Sequence, residues 1–366
     1  MNKKIIYSIH RLSGITIGIF IFLLAISGVG ISFREELLPS LYPELFYIEA
    51  GTQTAPLSEI YTNAQSYLGA DKKITNLYST EDPEEAYLLL YRDPNSQFPW
   101  MLTMNQFTGK VVGEMSMIKN FFAIMLFMHA NFFMGKIGAY FVGILGLVLL
   151  FFIISGIYIW LPQKNLAQKF KRTFSQYTPG LRAQKFHHAL GILFSLFLGL
   201  SAITGFLTIY DLSYYLMRPL RGEANRVEDF ERKSSCTYEE QLDVVKMITP
   251  EMEKNLISIH FCSQKSGIMK VTYGLRDKDY LNGYGRITID PLNKQILQNF
   301  NSDSDPTSWN IKRFTIYPLH TGSYLGMTGR IIVFITGLAL MVIFMTGVFL
   351  FVKRRSRKIR PVGEEL

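Results

Sequence analysis

Two adjacent histidines, His187 and His188, directly precede an apolar run that is long enough to cross a bilayer. Titratable side chains within or at the mouth of a membrane helix are costly and usually functional. His10, His129 and His320 lie beside three further apolar runs. Imidazole is an axial ligand of haem iron, and two facing imidazoles leave the iron no open position, which favours electron transfer. These histidines are therefore either ordinary interfacial residues or ligands of a group held in the membrane.

Four runs without charged residues are each long enough to cross a membrane as a helix. They cover residues 12–33, 137–161, 189–210 and 331–352, and they contain 22, 25, 22 and 22 residues. About 20 apolar residues span a hydrocarbon core of about 30 Å, so the sequence predicts four transmembrane helices. The first run is too long for a signal peptide and lacks a cleavage site. The apolar residues 120–135, which include His129, either continue the second helix above the membrane or lie in the interface.

The distribution of basic residues predicts the orientation. Segments 1–11, 162–186 and 353–366 contain 15 lysines and arginines against only two acidic residues, Glu364 and Glu365. Segment 34–119 has 6 basic and 12 acidic residues, and segment 211–319 has 15 of each. By the positive-inside rule, both termini are cytoplasmic and both long segments are external. The basic residues flank the spans and do not form a face on a soluble domain, so the net charge of +9 does not support nucleic-acid binding.

The four histidines follow an internal repeat. Glycines come 4 and 18 residues after both His10 and His187, and 6, 9, 17 and 27 residues after both His129 and His320. A serine or threonine precedes each glycine at +18 and each glycine at +27. The glycines are Gly14 and Gly191 at +4, Gly28 and Gly205 at +18, Gly146 and Gly337 at +17, and Gly156 and Gly347 at +27. These matches indicate that the histidines belong to the repeat.

The two long segments also repeat each other. Each has a predicted helix (57–68 and 238–247), a β-rich run (86–91 and 268–273) and a strand–turn–strand pattern (104–112 and 289–297). His260 falls in a predicted strand and is expected to be a structural or surface residue. Cys236 and Cys262 either form one disulfide or remain two separate thiols.

The sequence thus predicts an integral membrane α-helical protein, in which four transmembrane helices form two parallel repeats of helix, external α+β domain and helix. Both copies begin in the cytoplasm, so an axis along the membrane normal relates them, unlike the inverted repeats of many transporters. The predicted segments are transmembrane helix 1 (1–33), external domain 1 (34–119), an interfacial segment with helix 2 (120–161), a cytoplasmic loop (162–186), helix 3 (187–210), external domain 2 (211–319), helix 4 (320–352) and a basic cytoplasmic tail (353–366).

This topology groups the histidines into two pairs of axial ligands. His10 and His187 lie at the cytoplasmic ends of their helices, whereas His129 and His320 lie on the external side. No Cys-x-x-Cys-His motif is present, so the sequence predicts two non-covalent, b-type haems. His188 occupies the position of Arg11 in the repeat, and both are candidates to face propionates. The alternative is that His188, and not His187, coordinates the iron.

The repeated glycines have two interpretations. Small residues on membrane helices more often mark close helix packing than a cofactor, and we favour packing for Gly146 and Gly337. Glycines four residues after a ligand leave room for a flat macrocycle, and the glycines that end each set would supply walls without side chains. The glycines predicted to contact haem are Gly14, Gly28, Gly156, Gly191, Gly205 and Gly347.

Several motifs resemble those of the PepSY-associated transmembrane family. They are "HRxxG" from His10, "HxxxG" from His187, "LHTGxxxGxxGR" at residues 319–330, and the repeated Ser/Thr-Gly pairs. The external segments resemble PepSY domains. Some members of the family are inner-membrane haem proteins that reduce ferric siderophores in the periplasm. The resemblance therefore implies an inner-membrane location, periplasmic domains and a haem-dependent oxidoreductase.

Together these patterns favour an electron conduit that crosses the lipid bilayer and delivers electrons to an external acceptor, a ferric siderophore or another oxidised compound. The chain has no Gly-x-Gly-x-x-Gly after a strand, and its cytoplasmic segments are too short to fold alone. The donor would therefore be a separate cytoplasmic reductase or membrane quinol. The alternative is a membrane-anchored PepSY module that regulates proteases or binds peptides, but such a module does not require histidines in register. A transporter usually has polar or broken mid-membrane segments.

Overall fold

The computed structural model describes residues 2–162, 164–174, 182–209, 236–262, 267–275, 284–301 and 316–359. It has two compact units. The helical unit comprises Met1–Phe33, Met125–Tyr215 and Thr315–Leu366, and the sheet unit comprises Arg34–Ile124 and Leu216–Phe314. In chain order the helices are α1 Lys3–Thr16, α2 Gly18–Ile31, α3 Arg34–Leu41, α4 Pro43–Phe46, α5 Leu57–Leu68, α6 Phe121–Asn131, α7 Gly135–Trp160, α8 Leu166–Phe174, α9 Arg182–Leu193, α10 Ser195–Ile209, α11 Tyr238–Lys246, α12 Pro250–Lys254, α13 Tyr317–Thr321 and α14 Gly326–Ile359.

Two to four candidate membrane spans occur among the described residues. Helix α7 and the apolar part of α14 are each long and apolar enough to cross a membrane. Two bent pairs also qualify if each pair is one span: α1 with α2, bent by 55°, and α9 with α10, bent by 61°. The breaks fall at Ile17 and Phe194, each seven residues after a histidine of the repeat. The predicted first and third spans are thus bent helix pairs, a feature that the hydropathy pattern does not reveal.

The helices that carry His129 and His320 are short and separate from the long helices that follow them. Helix α6 ends at Asn131, and Phe132 and Phe133 then adopt positive φ angles of 48° and 62°. His129 therefore does not lie on a continuation of α7. After each short helix, a glycine with φ of +58° begins the long helix, Gly135 before α7 and Gly326 before α14. The two turns are equivalent in the repeat, and both rely on the left-handed region that glycine enters without strain.

The two glycines 17 residues after a histidine, Gly146 and Gly337, lie where a long helix contacts a helix of a bent pair, in agreement with the packing interpretation. A Cβ added at Gly146 of α7 would lie 2.9 Å from the carbonyl oxygen of Ala202 in α10. A Cβ at Gly337 of α14 would lie 2.6 Å from Cγ2 of Val29 in α2. Each of these long helices therefore packs closely against the first helix pair of the other repeat.

Among its described residues, the sheet unit contains one antiparallel sheet of eight strands in the order β4-β3-β2-β1-β5-β6-β7-β8. The sequence predicts an external α+β domain in each long segment. In the structure β1 pairs with β5, with Leu77 opposite Ile259, so both segments contribute strands to the same sheet. The pairing removes two exposed strand edges, which otherwise invite association. The strands are β1 Lys73–Tyr78, β2 Tyr87–Arg92, β3 Trp100–Met104, β4 Val111–Ser116, β5 Leu256–His260, β6 Met269–Gly274, β7 Tyr284–Asp290 and β8 Gln295–Asn301.

The predicted helices of the two long segments, α5 and α11, share one core with this sheet. Tyr61 of α5 stacks on Tyr238 of α11 and on Phe261, with ring centroids 5.4 and 4.7 Å apart. Aromatic pairs of this kind add about 0.5–1.5 kcal/mol beyond the area they bury. Cys236 and Cys262 form a disulfide, so the start of α11 is linked covalently to the residues after β5. Of the two alternatives left open by the sequence, the disulfide is the one present.

Candidate functional site

His129 shows how the helical unit holds a histidine of the repeat. Its Nδ1 lies 3.0 Å from the carbonyl oxygen of Leu24 and 3.2 Å from Oγ of Ser27, both on α2. The hydroxyl of Ser27 is itself within hydrogen-bond distance of the carbonyls of Leu23 and Leu24. A carbonyl oxygen only accepts, so the ring nitrogen that faces it carries the proton. His129 is therefore held in the tautomer in which Nδ1–H donates and Nε2 has a free lone pair.

His187 and His320 make the same pair of contacts with other helices. In each case Nδ1 faces a backbone carbonyl and the hydroxyl of the threonine three residues further along the partner helix. The partners are Ile343 O (2.8 Å) and Thr346 Oγ1 (3.3 Å) for His187, and Ser201 O (3.2 Å) and Thr204 Oγ1 (3.1 Å) for His320. Both rings therefore keep a free Nε2 as well.

His10 reaches the same tautomer through a hydroxyl. Its Nδ1 lies 2.7 Å from Oγ of Ser155 in α7, and that hydroxyl donates its proton to the carbonyl of Phe151, 2.6 Å away. The serine oxygen must therefore accept the ring proton of Nδ1. Phe152 packs edge-on against the imidazole, with ring centroids 5.5 Å apart. The hydroxyl of Ser155 is the hydrogen-bond partner that orients this ring.

Each of the four rings lies against the glycine that follows the serine or threonine. An added Cβ would lie 3.0 Å from Cε1 of His129 at Gly28 and 3.0 Å from Cε1 of His320 at Gly205. The corresponding distances are 3.4 Å from Gly156 to His10 and 3.3 Å from Gly347 to His187. We call each Ser/Thr-Gly pair a histidine seat. The sequence predicts these glycines as walls for a porphyrin, and in the structure each of them lies against an imidazole ring.

In each repeat, the bent helix pair carries the seat of the second histidine, and the long helix carries the seat of the first. Ser27-Gly28 seats His129 and Ser155-Gly156 seats His10 in the first half, and the second half repeats the arrangement with Thr204-Gly205 and Thr346-Gly347. Sequence reasoning noticed these pairs but missed the role of the hydroxyls. The available clue was that a serine or threonine precedes the glycine in all four places.

His129 and His320 face each other across the two halves. Their ring centroids are 6.1 Å apart, and the ring planes are inclined by 44°. A metal–imidazole bond of about 2.0–2.1 Å on each side, plus about 1.1 Å from each nitrogen to its ring centroid, gives about 6.3 Å for one metal ion between two imidazoles. The separation of this pair, which we call the facing pair, therefore fits a shared metal ion.

His10 and His187 line a cavity of about 220 Å³ inside the helical unit, and we call them the cavity pair. On this measure one water needs about 10–15 Å³, so the space would accommodate a much larger group. Gly14 and Gly191 line the same cavity, and a Cβ added at either would meet no atom within 4 Å. The lining is mostly apolar and includes Gly18, Phe22, Phe152, Gly156, Leu340, Phe344 and Gly347.

Two further polar residues, Arg11 and His188, line the cavity. The buried Nε of Arg11 makes no hydrogen bond with any residue that the structure describes, although its guanidinium lies 5.8 Å from the ring of Tyr7 and 5.6 Å from that of Phe351. His188 also lines the cavity, and its ring centroid is 6.3 Å from that of His187. His187, and not His188, has the seat geometry of the other three histidines.

The titratable residues of the sheet unit discussed next contact neighbouring strands and side chains of that unit. Nδ1 of His260 lies 2.8 Å from Nδ2 of Asn76, across the pairing of β1 with β5, as expected for a structural histidine. Burial raises the pKa of Tyr87 to about 12, so its hydroxyl stays neutral. The ammonium of Lys294, 2.8 Å away, lowers the pKa of Asp243. Within the described residues, no group of three or more His, Cys, Asp or Glu side chains is placed to hold a metal ion.

The comparison with protein families covers almost the entire chain. Residues 7–354 match the family described as the PepSY-associated TM region. A search of curated proteins gave no match. The match includes all four seats and all four seated histidines, together with the apolar helices and the antiparallel sheet. The chain is therefore a multi-pass membrane protein that belongs to the PepSY-associated transmembrane family.

Proposed function

We propose that the protein is a transmembrane di-haem electron conduit, which passes electrons from a cytoplasmic reductase or membrane quinol to an external acceptor. A ferric siderophore is the acceptor that we propose, so that the protein would act as a haem-dependent oxidoreductase in iron uptake. The observation that carries the proposal is the set of four seats, each of which leaves the Nε2 of one histidine free. Haem iron bound between two imidazoles supplies one-electron transfer without an open coordination position.

The cavity pair would hold one b-type haem and the facing pair a second. The spacing of the facing pair fits one metal ion between two rings. The empty space beside Gly14 and Gly191 fits a flat group next to the cavity pair. The unpaired Nε of Arg11 supplies a buried donor for a carboxylate at the same cavity. These three independent features all suit haem, which combines a central metal ion, a flat macrocycle and two carboxylates.

The residues of the chain have definite roles in this proposal. The Nδ1–H donors of His10, His129, His187 and His320 orient the rings, and such hydrogen bonds also raise the basicity of the ligating nitrogen. The apolar lining of the cavity excludes water. Arg11 offsets negative charge there, and His188 lies beside the ligand His187 as a second polar group. Gly28, Gly156, Gly205 and Gly347 admit the rings to the surfaces of the partner helices.

The proposal includes the predicted topology. The bent pairs α1–α2 and α9–α10 would each be one span, which with α7 and α14 gives four transmembrane helices in two parallel repeats. The termini would be in the cytoplasm of the inner membrane, and the sheet unit would be periplasmic. The cavity pair would then lie towards the cytoplasmic donor and the facing pair towards the periplasmic acceptor.

The visible spectrum of the purified protein tests the cofactor. Protein from haem-replete cells should contain about two b-type haems per chain, with a reversible change on addition of dithionite. His260→Ala is a matched control because His260 belongs to the sheet unit, and it should retain both haems. A colourless preparation would overturn the proposal and would favour the alternative, a membrane-anchored PepSY module that binds or regulates proteases or peptides.

The acceptor requires a separate experiment. Chemically reduced protein, mixed anaerobically with a ferric siderophore, should be reoxidised while a ferrous chelator traps the product. If both haems are present but the siderophore leaves them reduced, the conduit remains and the acceptor is a different oxidised compound.

A further inference from the structure

The short helix α8, between the long helix α7 and α9, has an apolar face that the protein leaves exposed. Leu166, Phe170 and Phe174 are spaced by four residues and therefore lie on one side of the helix. They are 52%, 51% and 42% exposed, and the two phenylalanine rings are 4.4 Å apart. Large apolar side chains in such a stripe mark an interaction surface.

The rest of the surface of α8 and the residues just before it are basic. Residues 164–174 contain Lys164, Lys169, Lys171 and Arg172 and no acidic residue. An apolar stripe with aromatic residues, opposed by lysine and arginine, is typical of a helix that lies in the plane of a membrane interface and is attracted by anionic lipids.

The connection to α7 keeps α8 close to the bilayer. Helix α7 is a candidate span that ends at Trp160, six residues before Leu166, and six residues reach at most about 20 Å. Nε1 of the buried Trp160 also donates to Oγ1 of Thr173, 3.1 Å away. This hydrogen bond ties the second half of α8 to the end of the long helix.

We propose that α8 is an interfacial anchor that lies on the membrane surface, with Leu166, Phe170 and Phe174 among the acyl chains and its basic residues at anionic phospholipid headgroups. This role of α8 requires neither a bound haem nor a siderophore. Its partner is the bilayer, and the charge of the helix selects an anionic one.

Spin labels on single cysteines test the orientation of α8 in the full-length protein. Both native cysteines are in a disulfide, so Phe170→Cys and Gln168→Cys each introduce one reactive thiol on opposite sides of the helix. In nanodiscs of phosphatidylcholine and phosphatidylglycerol, the label at 170 should collide with dissolved oxygen and be shielded from a water-soluble nickel complex. The label at 168 should show the reverse, and Leu166→Cys should behave like Phe170→Cys.

Replacement of the basic residues tests the choice of lipid. With Lys169, Lys171 and Arg172 changed to Gln, the shielding of the label at 170 should no longer increase when phosphatidylglycerol is added to phosphatidylcholine. Equal water exposure at 168 and 170 in the anionic bilayer would overturn the proposal and leave a soluble protein as the occupant of the apolar face. If the label at 170 is shielded to the same extent with and without phosphatidylglycerol while Lys169, Lys171 and Arg172 are retained, the proposed preference for anionic lipid is wrong.

Discussion

The facing pair and the cavity pair use the same kind of seat but differ in how tightly the protein holds the rings. An added Cβ would approach the rings of the facing pair to 3.0 Å at both glycines, whereas the distances in the cavity pair are 3.4 and 3.3 Å. The cavity pair also borders about 220 Å³ of space. The protein thus fixes the positions of the facing rings by packing, and it gives the cavity rings more freedom to adjust to a bound group.

The hydrogen bonds of one ring of the cavity pair, His10, also differ from those of the other three rings. Three histidines face both a carbonyl and a hydroxyl, so the loss of the hydroxyl leaves one acceptor in place. Of the described residues, Ser155 alone offers His10 a hydrogen-bond acceptor, through its hydroxyl. A backbone carbonyl cannot be removed by a side-chain substitution, whereas a hydroxyl can. The effect of a single mutation on each ring therefore depends on whether a carbonyl also accepts its hydrogen bond.

The largest effect is expected when a ligand is removed. His10→Ala or His187→Ala should abolish the haem of the cavity pair and leave the other, and His129→Ala or His320→Ala should do the reverse. Redox titration of the visible spectrum would show which of two components disappears. If His188→Ala removes the component and His187→Ala does not, the ligand of the third span is His188. Loss of both components in every variant would show that the pairs are not independent sites.

Alanine substitutions at the seat glycines should affect the facing pair more than the cavity pair, because the facing pair has less space for an added Cβ. Gly28→Ala and Gly205→Ala force a ring to move, and overpacking of this kind costs about 1–3 kcal/mol, or roughly tenfold to a hundredfold in haem affinity. Gly156→Ala and Gly347→Ala should cost less than about tenfold, because a Cβ at either position is nearly accommodated. The rate of haem transfer to apomyoglobin measures the difference.

Gly199→Ala is the control for these alanine variants, because it changes a helical glycine whose added Cβ meets nothing within 4 Å. It should retain both haems. Equal losses from all four seats would show that the extra space in the cavity pair has no energetic consequence. If Gly199→Ala loses haem as well, the glycines act through helix flexibility and not through the seats.

Removal of a hydroxyl is expected to have an effect of about this size for His10 and a smaller effect for His129. Ser155→Ala removes the acceptor that orients His10, and the loss of such an outer partner typically costs about tenfold to a hundredfold in metal affinity. Ser27→Ala should cost less, because the carbonyl of Leu24 still holds His129. Electron paramagnetic resonance of the oxidised protein should therefore change for the cavity pair in Ser155→Ala and remain nearly unaltered in Ser27→Ala. Similar spectra in both variants would contradict the role assigned to the carbonyl.

The sequence predicted the elements of the sheet unit well. The predicted helix 57–68 coincides with α5, and the β-rich runs 86–91 and 268–273 lie within one residue of β2 and β6. Their periodicity and turn residues are local and visible in the chain. The pairing of β1 with β5 was not predicted, because it joins segments about 180 residues apart and depends on tertiary contact.

The repeat in the helical unit was visible for a similar reason, since glycine offsets can be counted. Which helix receives which ring could not be deduced, because the offsets describe positions along one helix and not the neighbour against which it packs. The acceptors of three rings are the backbone carbonyls of Leu24, Ser201 and Ile343, whose side chains have no part in the contact. The sequence therefore singled out the four histidines that the seats hold, but not the hydrogen bonds that orient them.

Arg11 provides the last and mildest way to distinguish the pairs. Its buried Nε has no hydrogen-bond partner within the described part of the chain, and the residue lines the cavity of the cavity pair. Net charge around a bound iron tunes its reduction potential, and a nearby positive charge stabilises the reduced form. Arg11→Gln should therefore lower the potential of the cavity-pair haem while leaving that of the facing pair unchanged. Lys4→Gln removes an exposed charge from the same helix and should alter neither potential. A shift of both potentials in Arg11→Gln, or an equal shift in Lys4→Gln, would mean that the arginine acts through the general charge of this membrane face and not through a contact in the cavity.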